Sequence, residues 1–520
     1  MEHAVLGAGL LPPSPKLKGR PIDAANDILT ARSWSILQGD CVDVLRTLPA
    51  GCINSCVTSP PYWALRSYLP KDHADKPLEL GSEPTPDEYV ARLVGVFDEV
   101  RRVMRDDAVL WVNLGDSYGS GTTGGCSPSS TLTGSGGRYR TGSKNESMYQ
   151  QSTSPVKTGL KPLDLCLIPE RFALAMQASG WYVRARIAWC KPSAMPESLG
   201  GVRWERCRVK VGNREPEKTE YLMMTPDREP GYNHHKVAIW QPCPGCPKCE
   251  KTGGLVLRRG AWRPTRSWEY IFMFTKSAAY YCDPEAVRTI LAEATVQRDR
   301  YTRILDDPDE QFAVKHNHET VSTGGANLRD VVNFGAEPCS MCMCPQCGRI
   351  YLDAEARQER RRLKRQGCLT CGFQPFKDFL AHYAQFPTQL PYLCLKASMS
   401  AHGYCPTCGG PWARVIERGE LIKTGASGNL RPSDDKYAGL EGTCLAARQN
   451  QVPTCTCPPH DPVPGLALDP FAGSGRTVLA ALKLGHRGMG IELHPGYCAM
   501  ARAMIEEYQN ENATPLFGGK

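Results

Sequence analysis

Between Leu466 and Glu492 the chain passes through an apolar strand, a glycine-bearing loop, a helix and a second apolar strand. The strand is Leu466 to Asp469, the helix Thr477 to Leu484 and the second strand Arg487 to Glu492, with a further helix from Pro495. Strands joined through a helix pair in parallel, and parallel strands need cover on both faces. This unit therefore argues for a mostly parallel sheet with helices on both faces. Earlier segments repeat the rhythm. Ser35-Ile36-Leu37 ends at Gly39-Asp40, and Ser55-Cys56-Val57-Thr58 ends at Ser59-Pro60-Pro61-Tyr62. Thr85-Pro86-Asp87-Glu88 reads as a capping box with proline in the first turn. The helix it opens sets Leu93, Phe97, Val100 and Met104 on one face. Strands follow at Ala108 to Asn113, Trp181 to Trp189 and Tyr270 to Thr275, with a helix from Pro169 to Ser179 stopped by Gly180. The predicted fold is α/β, a doubly wound and mostly parallel sheet.

A chain of 520 residues exceeds what one core usually organises, so insertions are expected. Core segments are read at 33–118, 161–202, 263–283, 377–400 and 465–510. Residues 1–32 form a tail, and 119–160 a flexible loop rich in Gly, Ser and Thr. Three cysteine-bearing insertions occupy 203–262, 284–376 and 401–464, of which 284–376 is the candidate target-recognition part. Hydrophobic residues make up 41% and charged ones 22%, and no run approaches the roughly 20 apolar residues of a membrane span. The amino-terminal stretch lacks the order of a signal peptide, so a soluble, cytoplasmic chain without a membrane partner is expected. The net charge of +8 is compatible with a polyanionic partner without requiring one.

The 24 cysteines say more. In a reducing compartment, Cys-x-x-Cys pairs point to metal. Cys344/Cys347 and Cys368/Cys371 stand 20 residues apart, the spacing of a four-thiolate zinc ribbon, with Cys339 and Cys342 able to substitute in the first pair. Cys405/Cys408 and Cys455/Cys457 form a second set across 46 residues. Cys243, Cys246 and Cys249 supply three ligands of a third, with Cys207 as the fourth and His234 or His235 as rivals. Closed four-cysteine sites leave no position for a substrate, so the zinc is read as structural. Within the first ribbon, Arg360, Arg361, Arg362, Lys364 and Arg365 form either a solvated face or a contact for phosphate.

Two motifs sit at the carboxyl ends of strands, where open α/β sheets bind ligands. In Ser59-Pro60-Pro61-Tyr62 the prolines fix two φ angles, which holds the Ser59 hydroxyl and nearby carbonyls as rigid acceptors beside the Tyr62 ring. Acceptors aimed at an exocyclic amine favour a pyramidal nitrogen and stabilise the charge it develops. A base reaches such a pocket by leaving its stack, and an aromatic face offsets part of that cost. A plain proline-rich turn also fits Ser-Pro-Pro alone. The second motif runs from Asp469 through Phe471, Gly473, Ser474 and Gly475 to Thr477, followed by Glu492 for ribose hydroxyls. A nicotinamide site needs a third glycine where Val478 stands, and a phosphate loop needs Gly-Lys-Ser/Thr, which is absent.

Together these motifs resemble the amino-group DNA methyltransferases of the permuted β class, in which the catalytic motif precedes the cofactor motif. The likeness runs in pieces from about Ser33 to Tyr508. It takes in Trp111 to Tyr118, Lys191-Pro192, Pro196-Glu197-Ser198, Arg263 to Tyr270, and His382-Tyr383-Ala384-Gln385-Phe386-Pro387. The resemblance implies a circularly permuted S-adenosylmethionine-dependent methyltransferase fold with zinc-ribbon-like insertions, acting on double-stranded DNA. Ser59, Pro60, Pro61 and Tyr62 would be catalytic. Asp40, Phe386, Pro387, Asp469, Phe471, Gly473, Ser474, Gly475, Thr477 and Glu492 would hold S-adenosyl-L-methionine. In that family Ser-Pro-Pro-Tyr favours cytosine N4, with adenine N6 the alternative. A cognate restriction endonuclease is a partner compatible with the resemblance and not readable from this chain. Cys190 stands where histidine is expected, and Arg476 precedes the loop's threonine. Transfer to cytosine C5 would need a Pro-Cys nucleophile. Pro242-Cys243 and Pro338-Cys339 lie in cysteine clusters, and the cofactor loop comes last. Methylation of RNA or a small amine, and a zinc-ribbon nucleic-acid-binding protein with an inert core, are the remaining rivals.

Overall fold

The computed structural model describes residues 33–64, 69, 73–119, 160, 164–192, 201–214, 237–258, 260, 262–289, 327–335, 341–352, 358–359, 362–363, 366–374, 380–381, 386–417 and 448–513. The tail, nearly all of the Gly/Ser/Thr loop, His234, His235, Cys339, His382 to Gln385, and Arg360, Arg361, Lys364 and Arg365 lie outside the described residues.

One eight-stranded sheet organises the chain. Its strands are β1 (Trp34–Gln38), β2 (Ile53–Thr58), β3 (Met104–Leu114), β4 (Tyr182–Cys190), β5 (Trp268–Thr275), β6 (Val331–Asn333), β7 (Leu466–Asp469) and β8 (Arg487–Glu492). They lie in the order β1-β8-β7-β2-β3-β5-β4-β6. Every neighbouring pair is parallel except those of β5, which runs antiparallel to both β3 and β4. Strand β2 therefore lies beside β7, although the two are far apart in the chain.

Among the described residues six helices cover the sheet: α1 (Cys41–Thr47), α2 (Pro86–Val103), α3 (Ile168–Ala178), α4 (Gln389–Ser398), α5 (Arg476–Lys483) and α6 (Pro495–Ala513). The alternation of strand side chains assigns them to two faces. Leu110 and Val112 of β3 pack with Leu45, Phe97 and Phe172 from α1, α2 and α3. Val109 and Trp111 pack with Leu395 of α4 and Ala480 of α5. Thr85 caps α2 by accepting from the Glu88 N–H at 3.2 Å, and Tyr89, Leu93, Phe97 and Val100 face inward. Among the described residues no helix is long and apolar enough to cross a membrane.

Boundaries differ from the sequence reading by a few residues. Strand β3 starts at Met104, because the polar Arg105-Asp106-Asp107 stays extended at the amino edge. Helix α3 starts one residue early, where Leu167 is left-handed at φ 54 and Asp116 accepts from the Ile168 N–H at 3.1 Å. The segment 284–376, read as an insertion, also contributes a core strand. Val331–Asn333 pairs with β4, and Phe334 stacks on Trp189 at 5.5 Å. Three residues among polar neighbours carry no periodicity that would reveal such a strand.

The three cysteine modules sit at different places. Residues 341–352 pack Met341, Met343 and Ile350 against Tyr497, Met500 and Met504 of α6. The hairpin of Trp412–Glu417 and Arg448–Pro453 docks near the amino edge, where Arg105 donates to the Cys408 carbonyl at 2.8 Å and Arg414 pairs with buried Asp283 at 2.9 Å. The third module pairs Arg203–Arg206 with Leu255–Arg258 and Arg208–Arg214 with Val237–Pro242. It lies on the connection from β4 to β5, at the carboxyl edge of the sheet.

Candidate active site

Both motifs converge on the carboxyl edge. Asp469 ends β7 fully buried, and one carboxylate oxygen accepts from the Thr58 hydroxyl at 2.6 Å and the Phe471 N–H at 3.1 Å. The other accepts from the Thr477 hydroxyl at 2.7 Å. Burial pushes the Asp469 carboxyl up to about 6, and these hydrogen bonds oppose the rise. Asp469 thus ties the last residue of β2 to the first turn of α5.

The loop between β7 and α5 turns on Gly473 and Gly475, at φ 52 and 81, a region that favours glycine. Ala472 N–H donates to the Ile491 carbonyl at 2.8 Å, which fastens the loop to β8. At the end of β8 the two Glu492 oxygens accept from the Gly473 N–H at 2.9 Å and the His494 N–H at 2.8 Å. Burial raises the Glu492 carboxyl to about 7. The buried Ser474 hydroxyl has no hydrogen-bond partner among the described residues, so this loop holds a polar atom that a polar ligand would satisfy. Val478, in the place of a third glycine, is accommodated from the opposite side. A Cβ on Gly488 of β8 would lie 2.8 Å from Val478 Cγ1, so the glycines of β8 allow α5 to pack closely.

Asp40 was expected to face a nucleoside. Its carboxylate caps α1, accepting from the N–H groups of Val42 at 2.9 Å and Asp43 at 3.1 Å, while the Gly39 N–H donates to the Glu492 carbonyl at 3.0 Å. Glu492 ends β8, and Asp40 follows the end of the neighbouring β1. Pro387 is buried at the start of α4, and Phe386 packs half-buried against the apolar cluster of that face. Arg476 is buried in the first turn of α5, and half-buried Cys190 ends β4.

Ser59 is half-buried, Pro60 buried, and Pro61 and Tyr62 half-buried. The Tyr62 hydroxyl reaches Asn113 Oδ1 at 3.1 Å and Glu269 Oε2 at 3.0 Å. Glu269 also pairs with Lys191, whose ammonium lies 4.6 Å from the Trp189 ring centroid. Asn113 is fixed in turn by donating to the Tyr270 carbonyl at 3.0 Å. Gly115 lies against the ring. A Cβ there would stand 2.5 Å from Tyr62 Cε2, so glycine is required. The Tyr89 hydroxyl donates to the Pro61 carbonyl at 2.8 Å and steadies the turn. Burial, with the Glu269 charge second, holds the Tyr62 phenol well above its ordinary 10, so it stays protonated and acts as a fixed donor. Asn113, Lys191, Glu269 and Tyr89 were given no role from sequence. The first three lie in segments that carried the family likeness, and that was the signal available.

All twelve predicted cysteines assemble as three sets of four: Cys207, Cys243, Cys246 and Cys249; Cys344, Cys347, Cys368 and Cys371; Cys405, Cys408, Cys455 and Cys457. In each set the sulfurs lie within 4.8 Å of one another. Sulfur–sulfur distances of 3.8 Å (Cys207–Cys246), 3.6 Å (Cys246–Cys249), 3.7 Å (Cys344–Cys371) and 3.5 Å (Cys347–Cys368) are too long for disulfides. They match the edge of about 3.8 Å that a tetrahedron with 2.3 Å zinc–sulfur bonds would have. Three turns share one backbone pattern, in which Gly348, Gly372 and Gly409 donate to Cys344, Cys368 and Cys405 at 3.0, 2.8 and 2.8 Å. All three glycines are left-handed, at φ 72, 72 and 70. The donor set fits zinc. Of the basic run, Arg362 is exposed and pairs with Glu359 at 3.0 Å.

A model of the N6/N4 methyltransferases, described as DNA methylase, matches residues 53–405 and 456–503. This chain belongs to the DNA methylase family. Its matched segments contain the Ser59 to Tyr62 turn, the Asp469 to Thr477 loop and Glu492. Among relatives of this DNA methylase, the Type II methyltransferase M.XycI of Xanthomonas campestris pv. cyanopsidis is 37% identical over 235 residues, covering 45% of this chain and 65% of the relative. The Type II methyltransferase M.Cfr9I of Citrobacter freundii is 34% identical over 255 residues, covering 49% and 58%. The chain thus spans about three fifths of the length of these relatives. A solved structure, the cytosine-N4-specific PvuII DNA methyltransferase, aligns over 90% of this chain and 85% of its own at 12% identity, with a TM-score of 0.36.

Proposed function

We propose that this chain transfers a methyl group from S-adenosyl-L-methionine to the exocyclic N4 amine of cytosine in double-stranded DNA. The observation that carries the reading is the joining of Ser59-Pro60-Pro61-Tyr62 to the glycine loop by Asp469. That link holds the proline turn beside a loop whose buried Ser474 hydroxyl has no partner among the described residues, which supports reading the turn as the amine site. When bound, the cofactor would supply a methyl group on a sulfonium sulfur that departs as a neutral thioether, and the amine would shed one proton to solvent as the carbon–nitrogen bond forms. Ser59 and the Pro60 carbonyl accept from the amino group as its nitrogen turns pyramidal, which stabilises the charge developing there. The Tyr62 ring, held by Asn113, Glu269 and Gly115, gives the extruded base a flat surface. Glu492 and Asp40 hold the nucleoside end of the cofactor, and no covalent enzyme intermediate forms. Serine at position 59 favours cytosine over adenine. The twelve thiolates hold zinc ions that shape the insertions. Replacing Ser59 or Tyr62 by alanine is expected to cut methyl transfer to duplex DNA at least a hundredfold while cofactor binding stays within about twofold. Full activity in both variants would overturn the reading.

A further inference from the structure

The three cysteine modules differ in what covers them. The 341–352 module buries apolar side chains against α6, and the 401–464 module is held by Arg105 and by buried Asp283. The described strands of the 201–258 module carry exposed aromatic and basic side chains. Trp204 is 55% and Trp240 51% exposed, and Trp262 on the returning segment is 72% exposed. Arg203, Arg206, Arg208, Lys210, Lys248, Lys251 and Arg258 are all exposed, against Glu205 and Glu250 as the acids among the described residues. Glu205 is engaged by Arg203 at 2.6 Å and Arg258 at 3.3 Å, within the shorter ribbon. A tetrathiolate zinc would add two negative charges, and the described side chains would still be net positive. Exposed tryptophans interleaved with arginines suit a polyanion that also offers sugar and base surfaces.

Position fits the same ligand. The module leaves the sheet after Cys190 and returns before Trp268, at the edge that carries Thr58 and Leu114. Its two stems end on Lys191 and Glu269, the ion pair that holds the Tyr62 hydroxyl. The returning stem is pinned beside β3, where Arg263 lies 3.8 Å from the Tyr118 ring centroid and Arg266 donates to the Asp116 carbonyl. In the longer ribbon Lys210 pairs in register with Trp240. A two-stranded ribbon of this kind is narrow enough for the major groove of duplex DNA.

We propose that the 201–258 module is a clamp on the double helix beside the target base, with Arg206, Arg208 and Lys210 neutralising phosphates and Trp204 and Trp240 lying against the groove. The proposal rests on the DNA methyltransferase reading above. The test uses the full-length, zinc-loaded chain and a fluorescent duplex that the wild type methylates. The triple variant Arg206→Ala, Arg208→Ala, Lys210→Ala is expected to raise Kd for that duplex at least tenfold at about 0.1 M salt. The slope of log affinity against log salt should fall by about 2 to 3, since each phosphate contact contributes about 0.9. Zinc content and cofactor affinity should equal those of the wild type. The charge-keeping variant Arg206→Lys, Arg208→Lys, Lys210→Arg should bind within about twofold of the wild type, and Trp240→Ala should weaken binding without changing the slope. If the triple variant loses cofactor binding through misfolding, Lys210→Glu alone replaces it. Unchanged Kd and unchanged slope in a variant of a wild type that methylates DNA would overturn the clamp alone. Absence of transfer to any duplex by the wild type would overturn the underlying reading, and the clamp with it.

Discussion

The Thr58 hydroxyl donates to Asp469 at 2.6 Å across 411 positions of sequence. This contact joins the two halves of the candidate site, because Thr58 leads into the proline turn and Asp469 into the glycine loop. Thr58→Val keeps the shape and removes the donor, which should cost about 1 to 2 kcal/mol in denaturant unfolding. Asp469→Ala leaves the Thr58 hydroxyl and the Phe471 N–H without this acceptor, while the Thr477 hydroxyl keeps the Val57 carbonyl at 3.1 Å, and should cost about 2 kcal/mol or more, since each orphaned buried group costs about 1–3 kcal/mol. The folded carboxyl lies near 6 against an ordinary 3.8, so its contribution to stability is present at low pH and is lost as pH rises through 6. Between pH 4 and 6 the wild type should therefore lose stability relative to Asp469→Asn, which does not titrate.

Tyr62 depends on a group that does not touch the substrate in this account. Glu269 accepts from its hydroxyl and is balanced by Lys191. Glu269→Gln and Lys191→Met should each lower kcat about tenfold, roughly 1.4 kcal/mol in the barrier. Cofactor affinity should stay within about twofold, because Glu492 and the glycine loop are untouched. Equal losses in cofactor binding and in kcat would indicate a collapsed edge and contradict a positioning role.

If Glu492 holds the cofactor as proposed, binding should depend on pH. Burial holds its carboxyl near 7, and ribose hydroxyls donate best to the ionised form. Affinity measured by calorimetry should rise with pH through 7 and approach a tenfold loss per unit well below it. Glu492→Gln should bind more weakly and lose this dependence. For folding the sign is opposite, as a carboxyl raised above its ordinary 4.5 takes stability away as pH climbs through 7.

Metal analysis should find three zinc ions per chain. Replacing Cys344 and Cys368 by serine should leave two and lower Tm, since Met341 and Met343 of that module pack on α6. Replacing Cys207 and Cys246 should also leave two, with little change in Tm and a loss of affinity for duplex DNA. A full-strength DNA complex in that second variant would speak against any role for the module in binding.

Much of this was legible in the sequence because local signals carried it. Thr85 caps its helix as the four-residue pattern predicts, and β7 and β8 have the predicted limits, since both are short, apolar and bounded by loop residues. Eleven of the thiols were legible through the spacing of their pairs, whereas Cys207 was one of three candidates for a fourth ligand, beside His234 and His235, and its place among the sulfurs comes from the fold. What escaped depends on contacts between distant strands. Asn113, Glu269 and Lys191 meet at Tyr62 only because β5 runs antiparallel between β3 and β4, and nothing in the sequence near these residues states that pairing. Strand β6 escaped because three residues show no period, and the role of Gly488 because its partner is on another element.

The central claim is transfer to an amine of DNA, and the product reports on it most directly. Duplex DNA treated with the protein and S-adenosyl-L-methionine is digested to nucleosides and examined by mass spectrometry. The account predicts N4-methylcytosine, absent when Tyr62 is alanine. N6-methyladenine in its place would contradict the assignment drawn from Ser59, and DNA without any methylated amine would contradict the account itself.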